Sequence, residues 1–243
     1  MNLFEPDTAT QNPTSWVVFF GGTSKIAEHL VRQCLNDGRH ILFIGRSANK
    51  MAKFMKGMSL AENDLVRFHT NPLNTQCAIE ASLSWVDACA VTIDTVYICA
   101  GTIFEEEVEE DITRYIESLN VNTLLPLVVT KHFHKYENVK IITLSSLFAL
   151  APKRRKNFYS YSKKIFLVFH RAWTAKQVKK HYIFLLGPVY TPMYSGPRRF
   201  YVTEPGKVAT KILEVVKLDS GGSYIVPGWW ALLLYPLTLL NLF

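Results

Sequence analysis

No acidic residue lies between Asn138 and Thr203, although the same span holds thirteen lysines and arginines. The nearest block of acids sits earlier, at Glu105, Glu106, Glu107, Glu109, Glu110 and Asp111. A charge run of one sign is most simply a solvated face, but an acid-free half in a chain of net charge +7 also suits an anionic substrate, a cofactor phosphate or a membrane surface. No nucleic-acid recognition motif accompanies the basic stretch, so nucleic acid is not an expected partner. Cysteine is sparse. Cys34, Cys77, Cys89 and Cys99 are scattered with no CxxC pair, which argues against a disulfide frame or a zinc site and for reduced thiols in a cytoplasmic protein without a metal. Residues 1–14 have neither a basic nor an apolar region of the kind a signal peptide needs, and read as a loose leader. Charge is absent altogether from Ser220 to Phe243.

What is present is a steady alternation of short apolar runs and amphipathic stretches. Strands are expected at Ser15–Phe20, His40–Gly45, Leu65–His69, Thr95–Gly101, Lys140–Ser146, Tyr182–Gly187 and Ser223–Pro227. Helices are expected from Lys25 to the Asn36-Asp37-Gly38 stop, over 48–58, Thr75–Ala88, Val108–His134, Phe158–Lys176 and Pro205–Lys217. The strands are continuous hydrophobic runs, the pattern of a parallel sheet covered on both faces. The fold class is therefore α/β: one doubly wound, Rossmann-like sheet over 15–227, followed by an apolar segment, 228–243. There is no internal repeat beyond the βα unit, and 243 residues at 49% hydrophobic suffice for one full core.

Two stretches carry chemistry. In doubly wound folds the first βα turn holds a dinucleotide pyrophosphate on glycine backbone and a helix N-terminus. Here that turn is Gly21-Gly22-Thr23-Ser24-Lys25-Ile26-Ala27, correctly placed between strand and helix, with a lysine and an alanine where further glycines are common. The second strand ends in Arg46-Ser47 rather than in an acid for the ribose 2′-hydroxyl, which suits a 2′-phosphate and favours NADP(H) over NAD(H). The second stretch is Ser146–Lys163. Ser146 closes a strand, Tyr159 follows thirteen positions on, and Lys163 lies four beyond it on the same helix face. An ammonium near a phenol lowers its pKa, so Tyr159 is a candidate proton donor to a carbonyl, with the Ser146 hydroxyl as a second donor to the same oxygen.

Taken with CAG at 99–101, VN at 121–122, LSS at 144–146, YSYSK at 159–163 and GPVYTPM at 187–193, these residues resemble the short-chain dehydrogenase/reductase family over roughly Trp16–Pro227. The resemblance implies an oxidoreductase that moves hydride between a nicotinamide and a carbonyl or hydroxyl. Ser146 would orient the carbonyl, Tyr159 act as general acid/base, Lys163 hold the nicotinamide ribose and depress the tyrosine pKa, and Asn122 hold a water of a proton relay. Gly21, Ser24, Ile26, Arg46, Ala100 and Gly101 would line the cofactor, Lys25 and Ser47 beside them, with Val189 and Thr191 at the nicotinamide end. Asp94 matches a structural acid of the family. Three departures stand out: Phe20 before the first glycine, the inverted Gly187-Pro188, and His69 or Asn71 where an acid often meets adenine. Within the family, the basic KRRKNFY run, the GGTS opening and the apolar C-terminal segment resemble the branch of decaprenylphosphoryl ribose keto-reductase, which implies a keto sugar on a polyprenyl phosphate. A reductase of fatty-acyl or steroid-like carbonyls is the alternative enzyme, and a degenerate nucleotide- or partner-binding relative the alternative outside catalysis.

The final sixteen residues, Gly228–Phe243, would span about 24 Å as a helix at ~1.5 Å per residue, short of a ~30 Å hydrocarbon core, and Pro236 would kink them. Three fates fit: a foot in the membrane interface, a segment buried in an oligomer, or a cover over an apolar substrate. The first places the protein peripherally on the inner face of an anionic membrane. Family likeness implies a homo-oligomer acting on a small or lipid-linked substrate.

Overall fold

A computed structural model describes residues 15–57, 65–104, 112–150, 157–174, 180–194, 196–197 and 199–230. The expected leader, the Lys153–Lys156 run, the block of acids at 105–111 and the segment from 231 onward lie outside the described residues. In chain order the elements are β1 (Trp16–Phe20), α1 (Lys25–Asn36), β2 (His40–Gly45), α2 (Ala48–Gly57), β3 (Val66–Thr70), α3 (Gln76–Ala88) and β4 (Ile93–Ile98). They continue with α4 (Ile112–Leu119), a π-helical turn (Asn120–Leu124), α5 (Leu125–His134), β5 (Lys140–Ser146), a 3₁₀ turn (Leu147–Ala149), α6 (Asn157–Thr174), β6 (His181–Leu186), α7 (Pro205–Lys217) and β7 (Gly222–Val226).

The seven strands form one sheet in the order β3-β2-β1-β4-β5-β6-β7, every pair parallel. Side chains alternate across a strand, and β1 shows both faces covered. Val17 and Phe19 enter a core with Leu30 of α1 and Val208 and Ile212 of α7. Trp16, Val18 and Phe20 enter another with Ile79 and Leu83 of α3 and Leu125 and Val129 of α5. Each such aromatic or aliphatic side chain contributes ~1.5–3 kcal/mol of burial, which is why a five-residue strand of this composition takes the sheet centre. A third cluster packs Phe166 and Leu167 of α6 on Ile183 and Leu185 of β6.

Helix starts are set by local caps. Ser24 accepts from the Ala27 N–H at 3.1 Å and opens α1; Thr75 does the same for α3 through the Ala78 N–H at 3.2 Å. The strand order reverses between β1 and β4, so the chain leaving their C-terminal ends diverges and leaves a crevice. The Phe20 carbonyl accepts from both the Cys99 and Ala100 N–H groups, at 2.8 and 3.0 Å, and ties the two exits together.

The expected single helix over Val108–His134 is two helices with a π turn between them. The apolar periodicity runs on through the inserted residue, so the interruption leaves no trace in the hydrophobic pattern.

Candidate active site

Ser146 ends β5 and its hydroxyl accepts from the Phe148 N–H at 3.2 Å, capping the 3₁₀ turn. That bond holds the side chain toward α6, where the Ser146 hydroxyl is a neighbour of the Tyr159 phenol. Tyr159 is half-buried in the cleft wall, and Lys163 follows one turn later at 4% exposure. Burial pushes the Tyr159 phenol above its usual range, opposed by the Ser146 hydroxyl beside it. The lowering expected from Lys163 does not appear; the group that lowers the phenol is Ser146. Burial also brings the Lys163 ammonium down to about 8. Two hydroxyls pointing at one space can together hold a single substrate oxygen.

Asn122 sits in the π turn, fully buried, behind Gly101 rather than in the cleft wall. Its carboxamide accepts from the Thr102 N–H at 3.1 Å and donates to the Thr102 carbonyl at 2.8 Å, to Ser118 Oγ at 3.0 Å and to Ser162 Oγ at 3.2 Å. Ser162 in turn donates to the Tyr159 carbonyl at 2.8 Å, and its own carbonyl accepts from Thr123 Oγ1 at 2.7 Å. The loop after β4, the π turn and the first turn of α6 are thus clipped into one unit that sets where Tyr159 and Lys163 stand. Ser162 went unnoticed in the sequence, although its place three after Tyr159 on one helix face was a readable signal.

The cleft, of about 400 Å³, runs from Ser146 and Tyr159 to the turn after β1. Gly21 has φ +78° and donates its N–H to the Ile44 carbonyl at 2.8 Å; a Cβ there would fall 2.5 Å from the Ala100 backbone. A Cβ on Gly22 would strike the Phe43 ring at 2.4 Å. Both glycines are therefore needed for the turn to pack on Ala100 and Phe43, which sets the N-terminus of α1 at the cleft. Ser24, Lys25, Ile26, Arg46, Ala100, Gly101, Val189 and Thr191 all line the same cleft. Ser47 does not. Its hydroxyl accepts from the Lys50 N–H at 3.4 Å, a bond that caps α2. This correction has a simple cause: a serine just before a helix is drawn to the free N–H groups. The residues present fit a nicotinamide dinucleotide, which Gly21, Ser24 and the α1 N-terminus would hold at the phosphates and Lys163 at the ribose.

The model of the short chain dehydrogenase family matches residues 15–198. The chain belongs to that family. Solved structures agree on the fold. Blue fluorescent protein from a metagenomic library, in complex with NADPH, is 20% identical, with a TM-score of 0.73 over 90% of this chain and 98% of that one. A short-chain dehydrogenase from Sphingobium yanoikuyae in complex with NADPH is 15% identical at TM-score 0.73, covering 93% and 95%. A 4-hydroxyisoleucine dehydrogenase complexed with NADH and succinate is 15% identical at TM-score 0.71, covering 88% and 97%. No curated protein matches the chain.

As a family member the protein is a nicotinamide-dependent oxidoreductase. Its departures from the family pattern have structural reasons. Phe20 fills the core under α3 and α5. His69 stacks on Trp85 with ring centroids 5.0 Å apart, and Asn71 Oδ1 accepts from the Leu73 N–H at 3.5 Å, so neither replaces an adenine-binding acid. Asp94 pairs with Arg39 at the start of β4, the sheet end away from the cleft, which supports a structural role. Lys50, one helical turn beyond Arg46, also lines the cleft and was missed; a lysine in the first turn after Arg46-Ser47 was the available signal. Lys25 and Arg46 already have acidic neighbours, Glu28 at 2.9 Å and Glu117 at 3.4 Å.

Proposed function

We propose that this enzyme is an NADP(H)-dependent reductase of ketones, or the reverse alcohol dehydrogenase, with Ser146, Tyr159 and Lys163 as its catalytic residues. The observation that carries the reading is that Ser146, Tyr159 and Lys163, the last one helical turn beyond the tyrosine, line the same cleft as Gly21. When bound, the cofactor supplies or accepts the hydride. Ser146 donates a hydrogen bond to the substrate oxygen and fixes its direction. Tyr159, kept protonated by burial, gives that oxygen its proton, so the unliganded site is set for reduction. Lys163 holds ribose hydroxyls and places a positive charge beside the phenol as it ionises. Asn122, its carboxamide wholly engaged by Thr102, Ser118 and Ser162, keeps the Tyr159-bearing turn in register.

The preference for NADP(H) rests on Lys25, Arg46 and Lys50 along the cleft edge and on the lack of a ribose-binding acid after β2. The space beyond Tyr159 is lined by Leu144, Leu147, Phe148, Leu186 and Met193, which favours an apolar carbonyl compound such as a fatty-acyl or steroid-like ketone. A keto sugar on a polyprenyl phosphate is the narrower reading; it rests on Lys153–Lys156, outside the described residues. Against a non-catalytic relative stands the complete set of Ser146, Tyr159, Lys163 and Asn122. Calorimetry with NADPH and NADH tests the proposal. NADPH is expected to bind about tenfold or more tightly than NADH, worth ~1.4 kcal/mol; failure of both to bind refutes it.

A further inference from the structure

Near the substrate end of the cleft several apolar side chains among the described residues are exposed. Phe200 is 97% exposed, Met193 43% and Trp229 38%. They stand on backbone that is itself held. Thr203 donates its N–H to the Pro188 carbonyl at 2.9 Å and its carbonyl accepts from the Tyr190 N–H at 2.9 Å, closing the loop after β6 on the start of α7. Tyr201 meets Trp230 edge-on with centroids 6.5 Å apart, and Trp230 stacks on Trp229 at 4.6 Å. Trp230 also lies against the cleft: a Cβ on Gly187 would fall 2.5 Å from its Nε1. The rim is therefore a set of aromatics fixed beside the opening.

Two further facts say what meets this rim. The chain continues directly from Trp230 into ALLLYPLTLLNLF, thirteen residues without a charge, so the rim is continuous with the most apolar stretch of the sequence. The sequence from 187 to 203, which carries Arg198 and Arg199, and that from 220 to 243 contain no acidic residue. No helix among the described residues is long and apolar enough to cross a membrane. Tryptophan and tyrosine beside apolar side chains, with arginine and no acid, match the composition of a protein surface at a lipid interface.

We propose that the cleft mouth docks on an anionic lipid bilayer, with Met193, Phe200 and Trp229 in the interface, so that an apolar carbonyl substrate reaches Tyr159 from the lipid. The second half of this statement rests on the reading of the cleft as a carbonyl-reducing site; the docking itself does not. Flotation of the full-length protein with vesicles of phosphatidylcholine, with and without phosphatidylglycerol, tests it, together with Phe200→Asp, a change at an exposed position that leaves the fold intact. The parent is expected to float with the phosphatidylglycerol vesicles, less so at high salt. Phe200→Asp is expected to weaken partitioning about tenfold while NADPH affinity in solution stays the same. A parent protein that stays in the soluble fraction, or a variant that floats equally well, overturns the docking. So does a parent dimer that Phe200→Asp dissociates, since the rim then belongs to a second copy. Loss of NADPH binding in both proteins would instead refute the oxidoreductase reading and leave the flotation result standing.

Discussion

Lys163 is a buried cation that a stability measurement can isolate. In the folded, unliganded protein its pKa falls from 10.5 to about 8 through desolvation, which at about 1.4 kcal/mol per tenfold change in proton affinity amounts to roughly 3 kcal/mol. The sign follows from proton counting. Between pH 8 and 10.5 the unfolded chain holds a proton at this site that the folded chain has lost, so stability rises with pH across that window. Below pH 8 both states are protonated and the full desolvation cost is present. Lys163→Met keeps the length of the side chain and removes the titration. Urea unfolding of parent and variant, at several pH values from 7 to 10.5, gives a difference in which all other titrations cancel. The parent should gain about 3 kcal/mol on the variant over that range, while the variant is inactive throughout. A difference that stays constant with pH would show that the ammonium is not desolvated, and the account of the Lys163 pocket would fail.

Other perturbations have equally definite outcomes. Asn122→Leu strands the Thr102 N–H and carbonyl in the interior, and should cost ~2–5 kcal/mol in urea unfolding while lowering turnover through the displaced first turn of α6. Gly21→Ala places a Cβ against the Ala100 backbone at positive φ; NADPH binding by calorimetry should be lost, with a fall in stability of at least ~1–2 kcal/mol. Arg46→Asp should raise the KM for NADPH by about 10–100-fold and lower that for NADH, read from initial rates. His170 and His181, whose rings lie 5.5 Å apart, are held neutral by burial with pKa values of about 4. Their unfolded pKa is near 6.5, so stability should fall as pH drops from 6.5 toward 4, and His181→Leu should flatten that part of the curve.

The inner strands β1, β2, β5 and β6 were legible because each is a run too apolar to be anything but buried, whereas the edge strand β3, VRFHT, is largely exposed. Lys140–Ser146 and Pro205–Lys217 have the ends expected of them. Other boundaries moved for reasons outside the local pattern. β4 begins at Ile93 because Trp16 of β1 pairs with it. The π turn at Asn120–Leu124 was invisible, since Val121, Leu124 and Leu125 continue the apolar face; only the buried amide of Asn122 marks it, and burial is not written in a sequence. At the site, types and spacing identified Ser146, Tyr159, Lys163 and the Gly21 turn, because each sits at a strand end or on one helix face. Contributions made by geometry were not readable: Ser162 behind Tyr159, Lys50 at the cleft edge, and the burial that raises the Tyr159 pKa against the pull expected of Lys163.

The central claim is that Tyr159 gives the substrate oxygen its proton in a cleft that holds NADPH. Its most direct test compares parent and Tyr159→Phe in two assays, NADPH affinity by calorimetry and NADPH oxidation with a panel of apolar ketones. The account predicts unchanged affinity and turnover reduced by at least ~10²–10⁴-fold. A phenylalanine variant that turns over as fast as the parent would contradict it.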